Sequence, residues 1–240
     1  MKLTKEEIKF IDNYLIKNEV KYWDVRLELL DHIVSAVEDK ITIDGISFNE
    51  ALLEVHRGFG NQLIKGSIPK DKVWTKGLYQ SNIGFKKFIR QKQKEIGRKH
   101  RIFYRKTFFS FLSSKQFIFE FLALIIVVYS IYQYNPKTAF IVSMVACVTP
   151  ELIKLGIGSF EKANRKSLNM QMAMATGSLF MSINYFFIGG FNSYFEEVIP
   201  KPYYIITIFY LILFPLLRHS LNCYRKSLIE NRKDYKLMVL

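Results

Sequence analysis

A cationic block set against a span-length apolar run constrains this chain more than any other feature. Between Lys86 and Lys106 stand ten Lys or Arg residues and one acid, Glu95, and from Phe117 to Tyr134 the sequence is almost wholly apolar. Such a run suits a membrane-crossing helix, and the adjacent bases hold their flank on the cytosolic side, where anionic lipid attracts them. The block offers ten candidate headgroup contacts: Lys86, Lys87, Arg90, Lys92, Lys94, Arg98, Lys99, Arg101, Arg105 and Lys106. Its apolar stripe of Phe85, Phe88, Ile89, Ile96 and Phe103 is too thin for a buried helix. It fits a helix lying on the bilayer surface or rising from it.

The block also separates unlike halves. Residues 1–60 hold twelve acids and eight bases, net −4, so the other 180 residues carry +18 towards the total of +14. This head reads as three helices. Thr4 with Glu7 and Ser47 with Glu50 have capping-box spacing, which places helix starts at about residues 5 and 48. Between them Trp23, Leu27, Leu30, Val34, Val37 and Ile41 recur at spacings of 4, 3, 4, 3 and 4, predicting a core-facing stripe closed by Asp44-Gly45. Displaced by one residue from that stripe, Asp24, Glu28, Asp31 and Glu38 form an acidic ridge, expected to bind a partner or to dock on the basic block. Residues 61–84, with Pro69 and Trp74, read as a linker, and 85–116 as a basic juxtamembrane helix.

Four apolar stretches follow, at 117–134, 138–157, 169–190 and 203–221, with a basic tail over 222–240. Cytosolic termini put the ten bases of the block, Lys162, Arg165, Lys166, and Arg225, Lys226, Arg232, Lys233 and Lys236 inside, against Lys137 and Lys201 outside, the latter beside Glu196 and Glu197. Eighteen against two is the positive-inside pattern. Tyr129, Tyr132, Tyr134, Tyr194, Tyr203 and Tyr204 fall near the outer ends, as an aromatic belt would. The expected fold is therefore all-α: a cytosolic helical bundle, a basic juxtamembrane helix and four transmembrane helices.

Glu120, Glu151, Lys154, Arg218 and His219 lie inside these stretches, in the inner half of the bilayer under that topology. Ionisable groups at such depth are costly and pair or line a cavity. Two readings follow: a proton, ion or ligand site of a small transporter or channel, or charge pairs that fix helix packing. Ala173 and Gly177 have the small-xxx-small spacing of close helix contacts, with Gln171, Ser182 and Asn184 as hydrogen-bonding partners. His32, His56, His100 and His219 share no ligand spacing with one another or with Cys147 and Cys223, so no metal or other cofactor is expected. Phosphate loops, nucleophile elbows and HExxH are absent from the sequence, which lowers the enzyme reading. The basic block stands next to a span, so its polyanion is the anionic bilayer and not a nucleic acid.

The head carries a further pattern. Tyr22-Trp-Asp-Val-Arg-Leu-Glu-Leu-Leu-Asp31-His32, then Glu38, Gly45, Ser47-Phe48, Ala51 and the ending Phe59-Gly60, resembles the N-terminal helical module of bacterial HAAS-type and permease-prefix membrane proteins. The resemblance covers about 40 of the 240 residues. It implies a bacterial inner-membrane protein whose cytosolic helical module binds another protein, a signalling or regulatory partner such as a PadR-like repressor. It transfers no catalytic residue, and Asp31, His32, Glu38, Gly45, Phe48, Ala51, Phe59 and Gly60 are the positions that match it.

Overall fold

The computed structural model describes residues 2–61, 82–161, 164, 166–176, 179–196, 198 and 201–239, and only the backbone of 179–186 and 237–239. The readings of Pro69, Trp74, Lys162, Arg165, Gly177 and Glu197 lie outside the described residues, as do the side chains of Ser182 and Asn184. Among the described residues all regular structure is α-helical: α1 Lys5–Lys17, α2 Trp23–Asp44, α3 Phe48–Gly58, α4 Ile83–Leu112, α5 Lys115–Tyr134, α6 Pro136–Phe160, α7 Leu168–Ala175, α8 Leu179–Tyr194 and α9 Tyr203–Val239. The chain divides into two compact units, Met1–Glu95 with Lys166–Leu168, and Ile96–Arg165 with Asn169–Leu240.

In the first unit both capping boxes form. Glu7 N donates to Thr4 Oγ1 at 3.3 Å while the Glu7 carboxylate accepts from Thr4 N at 2.7 Å, and Ser47 and Glu50 repeat the exchange at 3.4 and 3.1 Å. Gly45 ends α2 in the left-handed region at φ 65°, which a side chain would strain. α2 packs on both α1 and α3. Its buried face is not the predicted one: Val25, Leu29, Ile33 and Val37 are buried with Trp23, whereas Leu27 is 39% exposed. Apolar residues cover about half the circumference of α2, so the spacing of 4 and 3 marks one edge of a wide apolar arc, and packing selected a face roughly a quarter turn away. The acidic residues consequently lie on the side opposite the core.

The first unit also takes in the start of α4, beyond residue 60. Asn61 Oδ1 accepts from Gly84 N at 2.9 Å and from Phe85 N at 3.4 Å, so one side chain caps the new helix. The Phe85 ring is fully buried, with its centroid 5.4 Å from the His56 ring and 5.5 Å from Phe59. Asn82 Nδ2 donates to the Asn18 carbonyl at 3.2 Å and to the Glu19 carboxylate at 3.1 Å. A Cβ on Gly84 would overlap the Phe59 carbonyl oxygen and stand 3.0 Å from Asn61 Oδ1, so glycine is required there for close approach.

In the second unit three helices are long and apolar enough to cross a membrane: Lys115–Tyr134, Pro136–Phe160 and the Tyr203–Lys236 part of α9. α5 and α6 form a hairpin around Asn135, which ends the first helix and whose side chain accepts from Thr138 N at 3.1 Å to start the second. α6 packs extensively on α9, with Cys147, Ile206, Tyr210, Leu213 and Leu217 in their shared core and Phe191 of α8 beside them. Only 11% of the apolar window of α5 is buried, against 44% for α9, so α9 is the central element and α5 offers its apolar surface outward. Exposed Phe119, Leu122, Ile126 and Val127 would be an aggregation surface in water and are a lipid-facing surface in a bilayer.

Within the third predicted stretch, 169–190, the described residues are helical over Leu168–Ala175 and Leu179–Tyr194. The basic segment predicted over 85–116 is helical from Ile83 to Leu112, and Ser114 then caps α5 by accepting from Phe117 N at 3.3 Å. The basic tail continues α9, whose 37 residues give it a length of roughly 55 Å, well beyond the hydrocarbon core of a bilayer.

The two readings of α2 separate experimentally. Leu29→Ala should destabilise the head by about 2–5 kcal/mol, and Leu27→Ala should stay within about 0.5 kcal/mol. Unfolding of the full-length protein, followed by tryptophan fluorescence, measures both; equal effects would return the core to the predicted stripe.

Candidate functional site

Five ionisable residues inside the apolar stretches were the first site candidates, and the structure sorts them into three groups. On α6, one turn apart, Glu151 and Lys154 pair at 2.6 Å, with Lys154 fully buried and Glu151 5% exposed. The Lys154 ammonium also donates to Ser220 Oγ on α9 at 2.9 Å, and Ser220 donates in turn to the Thr176 carbonyl at 2.7 Å. That carbonyl lies just past the end of α7, where the helical ladder stops and a backbone acceptor needs another donor. A chain of carboxylate, ammonium, hydroxyl and carbonyl thus joins α6, α9 and the end of α7.

The second group bridges α5 and α9. Arg218 donates from Nε and Nη2 to the two carboxylate oxygens of Glu120, at 2.9 and 3.1 Å, and Gln116 Nε2 supports the same carboxylate at 2.9 Å. The fork is bidentate, the geometry in which Arg and a carboxylate bind most firmly. This pair borders open space. A cavity of about 370 Å³ is lined by Thr107, Ser110, Phe111, Ser114, Gln116, Phe117, Glu120, Arg218, His219, Asn222, Arg225 and Lys226.

His219 is the third group. It is 1% exposed, and its Nε2 lies 3.0 Å from the Tyr104 carbonyl, 3.3 Å from Thr107 Oγ1 and 3.4 Å from Cys223 Sγ. A carbonyl only accepts, so Nε2 carries a proton. His219 Nδ1 is buried without a hydrogen-bond partner among the described residues. The rings of Tyr104, Phe111 and Phe108 surround the imidazole at 4.6, 4.9 and 5.4 Å. Tyr104 also donates its hydroxyl to the Leu216 carbonyl at 2.9 Å, and burial pushes that phenol above its ordinary value.

Other candidates have plainer surroundings. Of the ten basic residues, all but Lys92 are exposed on α4. Lys86 pairs with Glu19 at 3.1 Å, and Lys92 pairs with Glu28, whose carboxylate holds the ammonium above its ordinary range. The acidic ridge is largely engaged: Asp24 accepts from Ser167 Oγ and Leu168 N, both at 3.0 Å, and Glu38 accepts from Leu3 N at 2.8 Å. Asp31 and His32 stay exposed and make no such contact among the described residues. The other pattern residues shape the head: Phe48 packs edge-on against Phe10 at 5.9 Å, Ala51 is fully buried, and Gly60 sits at φ 80° where Phe59 gives way to Asn61. At the far end of α6, Arg232 pairs bidentately with Glu161 and lowers its carboxyl below the ordinary range.

Sequence reasoning missed Ser220 as the partner of Lys154 and the Thr176 carbonyl as the acceptor from Ser220, and Ser110, Ser114 and Asn222 as cavity walls. It treated Arg225 and Lys226 only as markers of orientation. The signal that was present is spacing: Arg218, Asn222, Arg225 and Lys226 stand 4, 3 and 1 residues apart, one face of a helix. Among the described residues no cluster of His, Cys, Asp or Glu is arranged to hold a metal. No known protein family, characterised protein or solved structure matches this chain.

Glu151→Gln should destabilise the folded protein by about 3–5 kcal/mol, because Lys154 is left charged and buried without its counter-ion. Combining it with Lys154→Met should recover much of the loss, since neither charge then remains. The yield of monodisperse detergent-solubilised protein reads both; a double variant worse than the single one would show that the pair is not the unit.

Proposed function

We propose that this is a non-enzymatic bacterial inner-membrane protein with four crossings and both termini cytosolic, whose helical head recruits another protein as a membrane-anchored regulatory adaptor. In this reading α5, α6 and α9 are three crossings, and α7 with α8 makes the fourth. What carries it is the pairing of the intramembrane charges. Glu151 is neutralised by Lys154 and Glu120 by Arg218, so both carboxylates serve helix packing. A transporter needs such groups to exchange partners with a solute along a path, whereas Glu151 and Lys154 line neither the cavity beside Arg218 nor the one beside Arg232.

The partner surface we assign on the head is the outward side of α2. Asp31 and His32 are exposed there beside Leu27, giving an acidic contact with an apolar anchor, suited to a basic, partly apolar partner surface. A regulator of the PadR-like kind implied by the head's resemblance is the first partner to test. A photo-crosslinking residue at His32 should capture one defined protein in native membranes, and Asp31→Lys should abolish the capture. Flux of protons or solute in proteoliposomes holding the purified protein, lost in Glu120→Gln, would favour the transporter reading instead.

Orientation has its own check, in a background lacking Cys147 and Cys223. Cysteines placed at the exposed positions Ser193 and Lys233 should label from the outside and the inside respectively. Labelling of both from one side would remove one crossing.

A further inference from the structure

We propose that the cavity bounded by the end of α4, the start of α5 and the Arg218–Lys226 face of α9 binds a phosphate group, presented by the headgroup of an anionic phospholipid. The first ground is charge. Three cations, Arg218, Arg225 and Lys226, line the cavity against one carboxylate, Glu120, which already accepts from Arg218 and Gln116. Both bonds from Arg218 use Nε and Nη2, so its Nη1 amine is not engaged by Glu120 and remains a pair of donors. Arg225 and Lys226 are exposed at the mouth, both about two turns further along α9 than Arg218. Charge-assisted bonds from a guanidinium fork and an ammonium are the usual means of holding phosphate.

The second ground is the fit of the walls to a lipid. A volume of about 370 Å³ lies at the small end of ligand pockets and accommodates a headgroup without its acyl chains. Ser110, Ser114 and Asn222 add neutral donors and acceptors for headgroup hydroxyls, and the N-terminal end of α5 turns its positive dipole towards the site. Phe111 and Phe117 make the apolar wall, continuous with exposed Ile118 and Phe119 on α5, along which acyl chains would leave. A soluble phosphate ester has no use for that path. This site is distinct from the exposed bases of Lys86–Lys106, which meet headgroups as a diffuse field.

The test uses the intact protein in detergent and native mass spectrometry with added phosphatidylglycerol, phosphatidylcholine or glycerol phosphate. The expected result is retention of phosphatidylglycerol well above phosphatidylcholine, weakened about tenfold or more by Arg225→Gln with Lys226→Gln, the loss of a charge-assisted bond at each side chain. Both changes are at exposed positions, so folding should survive, and a matched exposed pair further along α9, Lys233→Gln with Lys236→Gln, should leave retention intact. Equal weakening by the two pairs would mean general electrostatic attraction and overturn the site. Retention of glycerol phosphate with no preference for phosphatidylglycerol would assign the phosphate to a soluble ester and overturn the lipid. The inference rests on the membrane reading; a protein that labels with the expected orientation and ignores phosphatidylglycerol sinks this site alone.

Discussion

A lysine ammonium with no access to solvent sets the terms on which the second unit folds. Removing a charge from water costs several kcal/mol even after relaxation, and that cost is offset only where counter-charge and hydrogen bonds are both in place. Lys154 has both, from Glu151 on its own helix and Ser220 on α9. Because Ser220 also reaches the Thr176 carbonyl, the register of α6 on α9 and the end of α7 are settled by one set of donors and acceptors. A shift of α9 by one residue would break both links made through Ser220. Apolar packing alone, around Cys147, Tyr210 and Leu217, tolerates such slippage far better, so the polar chain supplies specificity that lipid-soluble helices otherwise lack.

The first unit solves a different problem. A three-helix head of some sixty residues buries little apolar surface, and helices this short are marginal without tertiary support. The start of α4 adds a fully buried Phe85 to the core and brings its own cap from Asn61, on condition that residue 84 has no side chain. Tyr14, which bonds His56, and His56, which touches Phe85, tie α1 and α3 to the same place. The head is completed by residues that the sequence assigns to a linker and a surface helix.

Much of this was legible from residue spacing, for reasons of range. Capping boxes act over three residues and hydrophobic runs over one helix, so Thr4–Glu7, Ser47–Glu50, Gly45 and the α5, α6 and α9 runs are read correctly from the chain alone. The face of α2 was misread because nearly half its circumference is apolar, and only the positions of α1 and α3 decide which part is covered. The pairing of Glu120 with Arg218, 98 residues apart, depends on tertiary placement that no local pattern encodes.

Asn135 alone separates α5 from α6, closing one helix and capping the next. A connection of one residue cannot be threaded through a membrane after its neighbours have settled. In a bilayer the two helices therefore enter lipid together, as one hairpin. With α5 so little covered by protein, the hairpin can offer its apolar surface to lipid before α9 is synthesised. Biogenesis is then divided in time: insertion of the hairpin is governed by hydrophobic length, and the later arrival of Ser220 and Arg218 determines whether the charges already committed to that hairpin find their partners.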